Sequence, residues 1–361
     1  MLTGIFSSVW TIIVTIFIFG LLITIHELGH YLVARAFKVG IREFSVGMGP
    51  AIHTWKCKTN KVSIRWLPIG GYVSMVGEDP NDTPEPEDEG KAGLNTKPVW
   101  QRMLVVLAGP LTNILFAFVV MALLVTFMPQ SRIGSTEIAK FDENAVTNGE
   151  NGLRAGDIIT AIDGSAVRVY NDLNYLVALR GKNPLDVTVI RDGKETVVPA
   201  VQFPETVSGG VAMGSCDFMV YAAEKTFGEV LYQSFWQPVS IVKMTVESLF
   251  RAIRGEYGWQ AVSGPVGVGE QIGEVISATS NFGDTVISLV MMAVLISVSL
   301  GICNLLPLPV LDGGHILFYV IELIRGKPLN PKTEAAINTV FMVLLLGFML
   351  FVTVKDIVGL F

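Results

Sequence analysis

His26-Glu27-Leu28-Gly29-His30 places two imidazoles four residues apart with a carboxylate between them. On a helix, positions i and i+4 share a face, so both rings can reach one metal ion. Zinc held this way brings the pKa of a bound water down to about 7, and Glu27 stands where it can take the proton. Two histidines leave the site incomplete, because catalytic zinc takes three protein ligands and keeps one position open. The third should be a carboxylate or a histidine at similar depth. The stretch Asn304-Leu305-Leu306-Pro307-Leu308-Pro309-Val310-Leu311-Asp312-Gly313-Gly314-His315 offers candidates. Asp-Gly is also a common turn pair, but metal ligation is the favoured reading of Asp312. His315 reads as an interfacial histidine, with a fourth ligand or an outer hydrogen-bond donor as alternatives. His53 sits in a polar loop and reads as structural or solvated.

Five-residue patterns recur by chance, so the surroundings of the first one matter. His26, Glu27 and His30 lie near the end of an apolar stretch from about Trp10 to Ala34. Unpaired ionisable groups inside hydrocarbon are expensive and usually functional. Three further stretches are long enough to cross about 30 Å of hydrocarbon, which takes roughly 20 helical residues. They run over about 103–128, 285–306 and 337–354, the third reaching its Asp-Gly motif by residue 315 and the fourth ending by 357. No Lys or Arg precedes Arg35, so the basic start of a cleavable signal is missing. Lys and Arg concentrate in the loop 37–102 and again at Arg325, Lys327 and Lys332, which assigns both loops to the cytoplasm. Both termini and the region from Pro129 to about Gly283 then lie outside. His30 and Asp312 fall at the same, cytoplasmic, membrane face by independent arguments.

The segments between the spans have their own signatures. Residues 62–76 are two short alternating runs around Pro68-Ile69-Gly70-Gly71, a hairpin signal whose apolarity suggests that it dips into the protein interior. Residues 78–90 form an acidic, proline-containing, solvated loop. The outside region has the composition of a soluble domain. Gly152-Leu153-Arg154-Ala155-Gly156-Asp157, followed by Ile-Ile-x-x-Ile-x-Gly, resembles the PDZ core sequence, and residues 131–205 suffice for that fold. Arg191-Asp192-Gly193-Lys194 reads as a hairpin turn. Within the stretch 206–283, apolar residues from Phe227 to Ile253 recur at helical spacing. Lys243 and Glu247 argue against a fifth span, so this reads as an amphipathic helix on the membrane surface or on the PDZ domain.

Composition agrees. Of 361 residues, 51% are hydrophobic and only 16% charged, which excludes disorder and a wholly soluble chain. A net charge of −6 gives no sign of nucleic-acid binding. Cys57, Cys216 and Cys303 lack the spacing of a cysteine metal site.

Taken together, these residues resemble the site-2 protease family of zinc intramembrane metalloproteases, in the form of the bacterial regulator-of-sigma-E proteases. The likeness rests on His26 to His30, Leu67-Pro68-Ile69-Gly70-Gly71-Tyr72-Val73, Ala108-Gly109-Pro110-Leu111-Thr112-Asn113, Ser263-Gly264-Pro265-Val266-Gly267, and Asn304 through Gly313. It implies an α-helical polytopic membrane protein with four transmembrane helices, a re-entrant β-hairpin and an inserted extracytoplasmic α+β PDZ domain, in the bacterial inner (cytoplasmic) membrane. One PDZ-like domain stands where some members carry two. The resemblance also implies Zn2+ bound by His26, His30 and Asp312, with Glu27 as general base. Asn304 would position substrate or stabilise the oxyanion, against the competing reading of a polar residue that packs two helices. Gly70 and Gly71 would belong to the hairpin that offers a strand edge to substrate. The implied substrates are single-pass membrane proteins, such as anti-sigma factors or remnant signal peptides, cut in regulated intramembrane proteolysis. The PDZ domain is left with a possible peptide ligand. A membrane zinc transporter or metal sensor is the alternative, and an inactive PDZ scaffold a third reading. Neither explains Glu27 between two ligands.

Overall fold

In the computed structural model, residues 2–78, 83, 86–149, 151–208, 211–256, 262–279 and 281–359 are described. Residues 79–82, 84 and 85 of the acidic loop 78–90 therefore lie outside the described residues. In chain order come α1 (Leu2–Ala36), β1 (Ile41–Lys56), β2 (Lys61–Met75) and α2 (Val99–Phe127). Next are β3 (Gly134–Phe141), β4 (Ile158–Ile162), β5 (Ser165–Ala166), α3 (Tyr170–Arg180), β6 (Leu185–Arg191), β7 (Lys194–Val201), β8 (Glu205–Ser208), β9 (Val211–Gly214), β10 (Phe218–Ala222) and α4 (Phe227–Ile253). The chain closes with α5 (Pro265–Ala278), α6 (Phe282–Asn304), α7 (Asp312–Arg325) and α8 (Pro331–Gly359). Two compact units result, residues 1–117 with 263–361 and residues 118–262.

Four helices are long and apolar enough to cross a membrane: Val9–Ala36 within α1, then α2, α6 and α8. They coincide with the four apolar stretches of the sequence. The third ends at Asn304, and Asp312 opens a separate helix rather than closing that one.

In the first unit, residues 62–76 do not fold on themselves as a simple hairpin. Residues 43–46 of β1 pair with 71–74 on one side and with 61–64 on the other. Residues 51–56 then pair with the outer side of 61–65. The two arms of β2 thus flank β1, in a small antiparallel sheet of two strands that each bend. Gly70, at φ +82°, serves the bend where a side chain is disfavoured. Arg65 ties the strands together, donating to Glu43 (2.7 Å), Ser45 Oγ (2.9 Å) and the Tyr72 hydroxyl (2.6 Å). His53 lies on β1 with its ring against Trp55, so it belongs to a strand and not to a polar loop. The bend reaches deep along α1: a Cβ on Gly20 would lie 2.3 Å from the Pro68 carbonyl oxygen.

The second unit holds a sheet in the order β10-β3-β4-β6-β7, with β5 beside β4. Ile159, Ile162, Val187 and Val189 point inward from its strands onto Leu173, Leu176 and Val177 of α3. This is the burial expected when one sheet face is covered by a helix. Asp157 clasps Arg191 at 2.7 Å and accepts from the Arg154 amide at 2.8 Å, which fixes the Gly152–Asp157 turn. Asp192 and Gly193 both have positive φ, as the Asp-Gly hairpin turn requires. Beyond residue 205 the chain adds β8, β9 and β10, and β10 pairs with β3. On α4, Glu247 accepts from Tyr175 and pairs with Arg180 and Arg251. Burial alone would raise the Glu247 carboxyl, but these donors hold it below its ordinary range.

Candidate metal centre

His26 and His30 sit one turn apart on α1 and are nearly fully buried, 7% and 8% exposed. Their rings meet edge to face with centroids 4.9 Å apart, and the two Nε2 atoms are 3.2 Å apart. Asp312 reaches the same point from the first turn of α7. Its Oδ2 lies 3.0 Å from His26 Nε2 and 3.5 Å from His30 Nε2. The loop before α7 is built for this placement. A Cβ on Gly313 would meet the Leu306 carbonyl at 2.1 Å, and one on Gly314 the Leu308 carbonyl at 2.3 Å. Only glycine lets the loop close so tightly over the helix start. Val310 is held at φ +87°, a strained conformation for a β-branched residue.

The donor set can be tested against zinc. His30 Nδ1 lies 2.8 Å from the Val105 carbonyl oxygen, which can only accept, so Nδ1 carries the proton and the neutral ring presents its Nε2 lone pair. Asp312 Oδ2 is buried without a hydrogen-bond donor. A buried carboxylate oxygen and two imidazole Nε2 atoms therefore converge on one point, a donor set that suits a cation. Zinc bonds of about 2.0–2.1 Å at tetrahedral angles set ligand atoms about 3.3 Å apart. The observed edges of 3.0, 3.2 and 3.5 Å match that spacing. These residues fit zinc, and among the described residues they are the one such cluster.

Glu27 points elsewhere on the same turn. Its Oε2 accepts the Val73 amide proton at 3.0 Å, so the carboxylate is tethered to the β2 edge turned away from β1. Gly71 packs in the same place: a Cβ there would meet the Ser45 carbonyl at 2.7 Å and the Glu27 side chain at 3.9 Å. Asn304 closes α6 half-buried and lies outside the ligand cluster, as does His315, whose ring stands over Phe318 at 6.3 Å.

One face of α2 completes the centre, and the reading of the sequence gave it no role. Val105, Gly109 and Asn113 follow at four-residue spacing, so they form one stripe. Val105 supplies the carbonyl to His30. Gly109 leaves room for the rings: a Cβ there would lie 2.3 Å from His30 Nε2 and 2.8 Å from His26 Nε2. Asn113, fully buried, faces His26 Nδ1 at 3.4 Å. The available signal was an asparagine amide within an otherwise apolar span.

The geometry agrees with comparisons to known proteins. Residues 14–348 match the model of peptidase family M50. A Fusobacterium nucleatum protein provisionally named a zinc metalloprotease is 33% identical, over 97% of this chain and 99% of its own. Metalloprotease MmpA of Caulobacter vibrioides is 30% identical, with 94% of each chain covered. The regulator of sigma-W protease RasP of Bacillus subtilis is 29% identical, over 97% of this chain and 99% of RasP. With these matches over almost its whole length, the chain belongs to peptidase family M50, the site-2 proteases, and is a zinc metalloprotease with four helices able to cross a membrane.

Proposed function

We propose that this zinc metalloprotease is an endopeptidase that cuts single-pass transmembrane proteins within the bilayer, with zinc held by His26, His30 and Asp312 and Glu27 as general base. The observation that carries the reading is the Glu27 tether. The carboxylate on the same helical turn as His26 and His30 accepts from the outward edge of a β-strand at Val73. A transmembrane helix hides its peptide bonds in internal hydrogen bonds, so cleavage needs a locally extended segment whose freed backbone groups find new partners. Strand addition at an open edge supplies them. The sheet also exposes Ile52, Ile64, Trp66, Leu67 and Ile69, an apolar face suited to lipid, which favours re-entry into the bilayer. Gly70 and Gly71 then shape the bend and edge that meet substrate, and Asn304 steadies the scissile carbonyl.

When bound, zinc supplies Lewis acidity that polarises the scissile carbonyl and acidifies water. The chain does the rest. His30 is kept in one tautomer by Val105. Glu27 takes a proton at its carboxylate and returns it to the leaving amine. Residues 131–205, read as a PDZ domain and joined in the sheet by β10, act together with α4 as a filter on substrate size or identity, with a peptide ligand in the PDZ domain. The loops holding Lys56 and Lys91 face the cytoplasm of a bacterial inner membrane. The name of the Bacillus relative ties that protein to sigma-W regulation, and anti-sigma factors or remnant signal peptides are the corresponding substrates here.

The test compares wild type, Glu27→Gln and Asp312→Ala in detergent, by zinc content and by cleavage of one model single-pass substrate with and without chelator. Gln keeps shape and hydrogen bonding but takes no proton, so zinc should stay while turnover falls about 10²–10⁴-fold. Asp312→Ala should lose zinc. Near-normal cleavage by Glu27→Gln would remove Glu27 as the base.

A further inference from the structure

Both zinc-facing imidazoles need their second nitrogen held, since that hydrogen bond fixes the tautomer and the direction of the ligand lone pair. For His30 the holder is the Val105 carbonyl. For His26 the side chain at Nδ1, among the described residues, is Asn113, 3.4 Å away through Nδ2. That pairing sets two donors against each other, because a His26 that offers Nε2 to a metal carries its proton on Nδ1. At the same time Asn113 Oδ1 is buried without a partner, in a residue that is 0% exposed. A half-turn of the terminal amide exchanges its oxygen and nitrogen and removes both conflicts at once. Ser297 Oγ donates to the Asn113 backbone carbonyl at 2.9 Å, so α6 anchors this point of α2.

We infer that Asn113 is the positioning residue of the centre, its side-chain oxygen accepting the His26 Nδ1 proton and so keeping Nε2 bare toward the metal. This rests on the proposed zinc site. It makes α2 a scaffold in which one carbonyl and one amide, eight residues apart, orient the two imidazoles of α1.

The experiment uses the full-length protein in detergent with zinc added alone, titrated against a chromophoric chelator. In parallel, proton–nitrogen NMR of histidine-labelled protein reads the ring protons. The sequence holds only four histidines, so assignment by substitution is practical. Asn113→Leu should weaken zinc binding 10–100-fold, the range typical for loss of an outer partner. The Nδ1 proton of His26 should lose its hydrogen-bonded shift while that of His30 keeps it. Asn113→Asp offers only acceptors, so it should bind zinc at least as tightly as wild type and keep the His26 signal. If the amide were instead a donor to a bare Nδ1, Asp would weaken binding. That result, or a folded Asn113→Leu with wild-type affinity and an unshifted His26 proton, overturns the inference. Should Asn113→Leu fail to fold, Asn113→Asp alone decides by the sign of its change. Failure of wild type itself to bind zinc would count against the metal site, and is separable from both.

Discussion

Gly109 offers a quantitative test of the centre. A methyl group at this position would sit 2.3 Å from His30 Nε2 and 2.8 Å from His26 Nε2. Ordinary contact begins near 3.4 Å, so Gly109→Ala forces the two nitrogens back by about 1.1 and 0.6 Å, unless the helices part. Parting the helices would give up a close backbone approach, since a Cβ on Gly29 of α1 would meet the Ala108 carbonyl of α2 at 2.4 Å. Metal–ligand distances tolerate about 0.2 Å, so either displacement exceeds the tolerance severalfold. Overpacking costs about 1–3 kcal/mol, partly offset by about 1 kcal/mol of improved helix propensity. The fold should therefore survive while zinc binding weakens at least about 100-fold, or about 2.7 kcal/mol. Gly347→Ala in α8, where a Cβ meets nothing within 4 Å, is the matched control and should leave zinc affinity unchanged. Chelator competition measures the affinity, and far-ultraviolet circular dichroism checks that both variants are folded. Wild-type zinc affinity in a folded Gly109→Ala protein would refute the placement of the ligands against α2.

Three further outcomes are expected. Since the Val73 N–H points away from β1 to Glu27, alternation along the strand turns that of Tyr72 inward; Val73→Pro should cut cleavage at least about tenfold with zinc retained, whereas Tyr72→Pro should mainly lower thermal stability, and equal cleavage by a folded Val73→Pro would sink the edge argument. Excision should follow the sheet and not stop at residue 205, because β10 pairs with β3; a chain lacking 134–222 should keep its zinc but cut untrimmed substrates, and unchanged discrimination between long and trimmed substrates would dismiss the filter. Cysteines replacing Lys56 or Lys91 should be shielded from an impermeant reagent in intact cells while one replacing Asp163 reacts, and the reverse pattern would invert the proposed orientation.

The helices were legible because the bilayer imposes a length and a composition on any segment that crosses it. The stretches read near 10–34, 103–128 and 285–306 became spans that start and end within about four residues of those limits, while the one read near 337–354 extends further at both ends, over Pro331–Gly359. The Asp192-Gly193 turn was legible because it needs two positive φ angles in a row. The β1–β2 sheet was not. Pro68 to Gly71 does mark a bend, but turn chemistry says nothing about which strand each arm will join, and β1 inserts between them through non-local pairing. Likewise α5 was hidden: Pro265 at a first turn is a helix-start signal, yet Gly267, Gly269 and Gly273 dilute the apolar period. That helix is secured from outside, where Asp356 of α8 accepts from the Gly264 and Gly267 amides at 2.8 and 3.0 Å.

The candidate centre divides along the same physical line. His26, Glu27, His30 and Asp312 stood out because each is an ionisable group whose burial needs a reason, and because the first three share one helix whose period converts spacing into direction. That Asp312 meets the histidines depends on a loop tightened by Gly313 and Gly314, which spacing alone does not encode. Gly109 and Asn113 lay in plain view within Ala108 to Asn113, but their work depends on how α2 is rotated against α1. A glycine has no chemistry to announce, and its role here is the volume it leaves free. An asparagine in an apolar span announces only that it needs a partner. Which partner follows from proton counting around His26: a ring that gives one nitrogen to a metal must give the proton on the other to an acceptor. The ligands can thus be read from residue type, whereas the groups that aim them become visible only when every buried donor and acceptor has been accounted for.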